Sequence, residues 1–225
     1  MGLLHSLILV LYMDLTIQFC YDKSLDQAFI NKLFSFLITR GAKYNAGKYK
    51  GSYFIIPAGL VKGIEHTEDV IKDSTEKIAE IIDEYLQYDL QTTSLGISLE
   101  YFGEVNFDFR IYVIPEGDKS LISFETIDRE VANENAFLSF VNLCKDVFEK
   151  FNLSYGVYKD EYHDYISLND SDLPIEASSI INFYSKSLVD KIGRETLLST
   201  SAQVIEELEN GGLMIIKKEP EWFDD

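Results

Sequence analysis

The stretch from Leu95 to Ile127 constrains the fold more than any other part of the chain. Ile97, Leu99 and Tyr101 alternate with polar residues up to Gly103. Val105, Phe107, Phe109, Ile111 and Val113 then alternate with Asn106, Asp108, Arg110 and Tyr112. A period of two sends successive side chains to opposite faces, so these runs read as strands with one face buried. Phe102, Gly103 and Glu104 form a hairpin connection, Pro115 to Asp118 a turn, and Leu121 to Ile127 the next strand. The product is an antiparallel meander.

Helical periods flank it. Leu25, Phe29, Leu33, Phe36 and Leu37 line one face of a helix that Ser24 and Gln27 open as a capping box and Gly41 ends. Thr67 is predicted to cap a long second helix, with Val70, Ile71, Ser74, Ile78, Ile81, Ile82 and Tyr85 at helical spacing. Asn133 or a near neighbour starts a third, whose inner face is Phe137, Phe140, Val141, Cys144, Val147, Phe148 and Phe151, and Asn152 can end it. Leu15–Tyr21, Tyr53–Ile56, Leu153–Tyr158 and Leu213–Ile216 read as further strands. Ile180 to Ile192 is predicted as a short helix ending at Gly193. A second capping box, Thr200 and Gln203, predicts another that stops at Gly211 and Gly212. The fold class is therefore α+β: a mainly antiparallel sheet with helices packed on one face. A strand–helix–strand rhythm over 15–56 and again over 121–158 is consistent with two related halves.

The 225 residues, 46% of them hydrophobic, suffice for one full core. We expect a single α+β domain over 13–218, with an internal boundary or long surface loop near 159–177 and an acidic tail over 219–225. The apolar residues 1–12 lack the basic start and small-residue cleavage site of a signal peptide and are too short to span a bilayer. Translation beginning at Met13, a short packed extension, export, and lipidation at Gly2 stay open as readings.

Charge narrows the function. Asp and Glu number 38 against 20 Lys and Arg, a net charge of -18. Such a surface repels phosphate backbones and argues against nucleic acid as a partner. The acids are unevenly spread. Residues 27–64 contain none, while they hold Lys32, Arg40, Lys43, Lys48, Lys50 and Lys62. Within that window Tyr44, Lys48 and Lys50 sit on a Gly-rich stretch able to grip an anion. Gly47-Lys48 does not fit the phosphate-binding loop of nucleotide hydrolases, because Tyr49 stands where Ser or Thr is needed and the stretch follows a helix, while binding of an anion or nucleotide stays an alternative. The opposing acids gather on one helix, as Glu76, Glu80, Asp83 and Glu84, and in one late stretch, as Asp160, Glu161 and Asp164. A dense negative surface on a rigid element steers basic partners, and a solvated face is the plain alternative.

Signatures of catalysis and metal binding are missing. Cys20 and Cys144 form no disulfide framework and fit a reducing compartment, the cytoplasm. His5, His66 and His163 are too scattered for a zinc site, and Asn169 to Asp172 lacks the Gly and Glu of a calcium loop. No nucleophile elbow occurs. No cofactor is expected, and a non-enzymatic role is preferred over an enzyme.

Ser154 to Tyr158, Asn182 to Tyr184, Leu188 to Gly193, Ser201 to Val204 and Leu208 to Ile216 together resemble the ending of immunity proteins from bacterial polymorphic-toxin and type VI systems. The resemblance covers roughly residues 150–218 and implies an acidic α+β protein that neutralises a toxin by binding it. It carries over no functional residue and does not explain the basic window. The sequence therefore points first to an acidic module that binds a basic protein. A small-ligand binder or enzyme using the 41–51 loop, and a self-assembling protein, are the alternatives.

Overall fold

The computed structural model describes residues 14–44, 51–57, 64–68, 74–127, 131, 133–159 and 180–217. Among these residues eleven strands form one antiparallel sheet. In chain order the elements are β1 (Asp14–Tyr21), α1 (Gln27–Thr39), β2 (Ala42–Tyr44), β3 (Gly51–Pro57), β4 (Ile64–Glu68), α2 (Ser74–Tyr85), β5 (Thr93–Tyr101) and β6 (Phe107–Glu116). They continue as β7 (Lys119–Ile127), α3 (Glu134–Phe151), β8 (Tyr155–Lys159), β9 (Ile181–Tyr184), α4 (Lys186–Ile192), α5 (Arg194–Leu198), β10 (Val204–Glu207) and β11 (Leu213–Ile216). Across the sheet the order is β10-β11-β9-β8-β1-β7-β6-β5-β3-β4, and β2 also pairs with β5.

The meander is present as β5, β6 and β7, with Ile97 opposite Ile111 and Ile111 opposite Phe124. One face of the sheet meets α1, α2 and α3 in the main core. Phe19 of β1 is fully buried there. Its ring lies 6.1 Å from Phe124, 5.6 Å from Phe148 and 5.3 Å from Phe183. All seven inner-face residues expected of α3 are buried. Its ends are also local: the Asn133 side chain accepts from the Ala136 N–H at 2.9 Å, and Asn152 closes the helix in the left-handed conformation. Asn133→Ala is expected to cost about 0.5–2 kcal/mol of stability, read as a lower urea midpoint at unchanged slope.

Several expectations need correction. The N-cap of α1 is Asp26, whose carboxylate accepts from the Phe29 N–H at 2.6 Å, and not Ser24. Residues 42–44 form β2, where a loop was expected, because this short piece pairs with β5 next to the helix end. Thr67 lies in β4 and so does not cap α2, which starts at Ser74; β4 pairs with β3, with Thr67 opposite Ser52. The region 180–192 divides into β9 and α4, with Ser185 as the helix cap. β9 is buried along its whole length, Asn182 included, and sits between β8 and β11, so its four residues show no period that distinguishes them from a buried helix. The capping box at Thr200 opens no helix. Residues 204–207 pair with β11 as β10, and a turn with Gly211 in the left-handed region joins the two strands.

A second, smaller layer covers part of the opposite face. Val189 of α4 and Leu197 of α5 pack with Cys20, Tyr155, Tyr184, Leu213 and Ile215. Strand alternation sends these sheet residues away from Phe19, Phe183 and Met214, which belong to the main core. β8 and β9, which flank residues 160–179, pair directly, with Tyr155 opposite Tyr184.

Candidate partner-binding surface

α2 is held from below and charged above. Ile78, Ile81, Ile82 and Tyr85 are buried, and the Tyr85 hydroxyl donates to the Thr93 carbonyl at 2.9 Å. Burial pushes the Tyr85 phenol above its ordinary pKa. With that face fixed, the 3.6-residue period turns Glu76, Glu80 and Asp83 to the outside, and all three are exposed. Glu84 differs. It is half-buried and accepts a hydrogen bond from the Tyr53 hydroxyl of β3 at 2.9 Å. Lys77 lies 3.4 Å from Glu80 and 5.8 Å from the centre of the Tyr53 ring. Glu76 lies in the first turn, where the helix dipole favours an anion, whereas the last turn holds no cation to offset Asp83 and Glu84. Asp83, the outward acid at that end, is therefore opposed by the helix dipole.

Tyr44 does not face solvent. It is 1% exposed, sits opposite Leu99 and is part of the main core. The expected anion contact thus loses its tyrosine to packing. Lys48, Lys50, Asp160, Glu161 and Asp164 lie outside the described residues, as do His163 and residues 169–172.

A polar row on the opposite face of the sheet went unread in the sequence. Glu125 of β7, Arg110 of β6 and Ser98 of β5 lie opposite one another across adjacent strands. Arg110 Nη1 is 3.6 Å from Glu125 Oε1, and Arg110 Nε donates to Ser98 Oγ at 3.4 Å. Ser98 Oγ is 3.0 Å from Ser52 Oγ of β3. The Tyr112 hydroxyl donates to Glu125 at 3.1 Å, and its ring packs 5.6 Å from Phe54, which lies over Gly96. The Arg110 side chain is 54% exposed and that of Glu125 22%. The signal was the polar half of the strand alternation, which marks a face without saying that its members bond to each other.

The comparisons assign no family. No family model matches the chain, and no curated protein matches it. Among solved structures it is similar to a Pseudomonas aeruginosa T6SS protein, at 12% identity and a TM-score of 0.49, over 91% of this chain and 68% of that one.

Among the described residues no group of three or more His, Cys, Asp and Glu could hold a metal ion, and no helix is long and apolar enough to cross a membrane. Cys144 is fully buried in the main core, and burial pushes its thiol up, which fits a packing residue.

The tyrosines set an alkaline limit. Burial, aided by Glu125, raises Tyr112 to about 12, and burial raises Tyr184 to about 12, from an ordinary 10.0. Below pH 10 both phenols are neutral in the folded and the unfolded chain, and the full stability is present. As pH rises from 10 through 12 the unfolded chain releases protons that the fold retains, so stability falls. Denaturant midpoints between about pH 9 and about pH 11 should decline, and less steeply in Tyr112→Phe. An unchanged slope in that variant would disprove the role given to Tyr112.

Proposed function

We propose that this protein is a non-enzymatic binding module that docks a basic protein through the outward face of α2, in the manner of an immunity-type inhibitor acting in the cytoplasm. The observation that carries the reading is the exposure of Glu76, Glu80 and Asp83 on one side of a helix whose other side is locked into the core. Glu84 borders this face and is tied to Tyr53. Asp160, Glu161 and Asp164, close in sequence and outside the described residues, are proposed as further contacts to the same basic partner. A rigid acidic face in a chain of net charge -18 speeds encounter with a cationic surface and repels other acidic proteins.

The test is capture from native lysate of the source cell by the immobilised full chain, in low and in high salt. A basic protein should be retained at low salt, released at high salt, and lost when Glu76, Glu80 and Asp83 are all replaced by Lys. Asp83→Lys suits the helix dipole while Glu76→Lys opposes it and Glu80→Lys gives up the contact with Lys77, so the urea midpoint of the triple variant is measured beside capture to separate a lost interface from a lost fold. Retention of the same protein by the triple variant, or no basic protein retained at low salt, rules the reading out.

A further inference from the structure

β10 ends the sheet on the side away from α2, and among the described residues its outer edge carries no further strand. Its register sets Val204 opposite Ile216 and Glu206 opposite Met214, and beyond the strand the Leu208 N–H donates to the Gly212 carbonyl at 3.0 Å. In an antiparallel ladder, bonded positions alternate. Leu208, Glu206 and Val204 therefore turn their backbone groups towards β11, and Ile205 and Glu207 turn theirs outwards. Among the described residues no strand pairs with that edge.

The side chains indicate what suits it. Glu206 bonds Lys145 of α3 at 2.9 Å, which places Val204 on the same side, where it is 42% exposed. Glu207 lies on the other side and pairs with Arg194 of α5. Glu149 accepts from the Glu209 N–H at 2.6 Å in the adjoining turn. Around this edge Glu149, Glu206, Glu207 and Glu209 outnumber Lys145 and Arg194. A second copy of the chain would set the same acids against each other. Short, charged edges of this kind resist self-addition.

We propose that β10 accepts an added strand from a basic partner, with apolar side chains falling beside Val204 and cations beside Glu207. Main-chain hydrogen bonds at Ile205 and Glu207 would supply affinity, and the alternation of side chains would supply selectivity. The proposal rests on the reading of a basic partner but uses a different surface from α2.

The experiment uses the full chain labelled with nitrogen-15 and two synthetic probes, acetylated peptides of alternating Lys and Val and of alternating Glu and Val. Water exchange of the Ile205 and Glu207 amides is read by NMR. The Lys–Val peptide at about ten times its Kd should slow both by roughly tenfold. The Glu–Val peptide should slow neither. Glu207→Pro removes an outward N–H that no ladder bond uses, so it should leave the fold intact and abolish protection. Protection of neither amide overturns the proposal, as does equal protection by both peptides. Shifts confined to α2 would also overturn it, while leaving the α2 reading standing. The wild-type measurement decides the matter even if the proline variant does not fold.

Discussion

Replacing Phe19 with Ala is expected to remove about 3–5 kcal/mol of stability. Phe19 is fully buried in β1, and its ring touches Phe124 of β7, Phe148 of α3 and Phe183 of β9. It therefore joins three strands and the longest helix at one point. The site cannot close up around a smaller residue, because each of the three rings is held by its own element. Gly156, on the neighbouring strand β8, adds to this: a Cβ there would run into the Phe19 ring, so the glycine exists to admit it. Denaturant unfolding of Phe19→Ala should show a lower midpoint with an unchanged slope. A loss below about 1 kcal/mol would show that this ring is not where the sheet and α3 are joined.

Gly41→Val is expected to cost about 3 kcal/mol or more, from two separate sources of strain. Gly41 has φ of +104°, a conformation that β-branched residues avoid. A Cβ at this position would also meet the carbonyl oxygen of Phe102, which is backbone and cannot swing away. The residue is fixed on both sides. Its N–H donates to the Ile38 carbonyl at 3.0 Å, and its carbonyl accepts from the Phe102 N–H at 3.0 Å. It ends α1 and delivers the chain into β2. Gly117→Val is the control, since Gly117 also has positive φ, of +66°, but an added Cβ there meets nothing within 4 Å. The difference between the two costs reads the crowding by Phe102 together with the extra strain of +104°, which lies outside the left-handed α region that +66° occupies. Equal losses would mean that the Phe102 carbonyl gives way.

Much of the fold was legible because it is written in local periods. The alternation over β5 and β6 needs no partner to be recognised, and it recurs in the register as Leu99 opposite Phe109 and Tyr101 opposite Phe107. α3 was legible to within a residue or so at its start, which the structure sets at the Asn133 cap, and at its end, Asn152. β9 and β10 were not. Ile181 to Tyr184 holds one polar residue, Asn182, among three apolar ones, too short a run to separate a helix from a central strand, and only the two neighbouring strands decide it. The capping-box pattern at Thr200 is a local preference of about 1 kcal/mol, which pairing with β11 outweighs.

The same division runs through the candidate site. The sequence by itself determined the chemistry: a net charge of -18, an acid-free stretch from 27 to 64, and acids at helical spacing from Glu76 to Glu84. It also determined which face of α2 is buried, since Ile78, Ile81 and Ile82 leave no other choice. Tertiary structure alone decided how each charged or aromatic group is used. It drew Glu84 onto the Tyr53 hydroxyl, took Tyr44 into the core, and joined Arg110, Glu125, Ser98 and Ser52 into one row across four strands. Periodicity reports the face on which a side chain lies, whereas a hydrogen bond depends on which strand the sheet places beside it. That placement comes from residues far apart in the chain, and no local pattern records it.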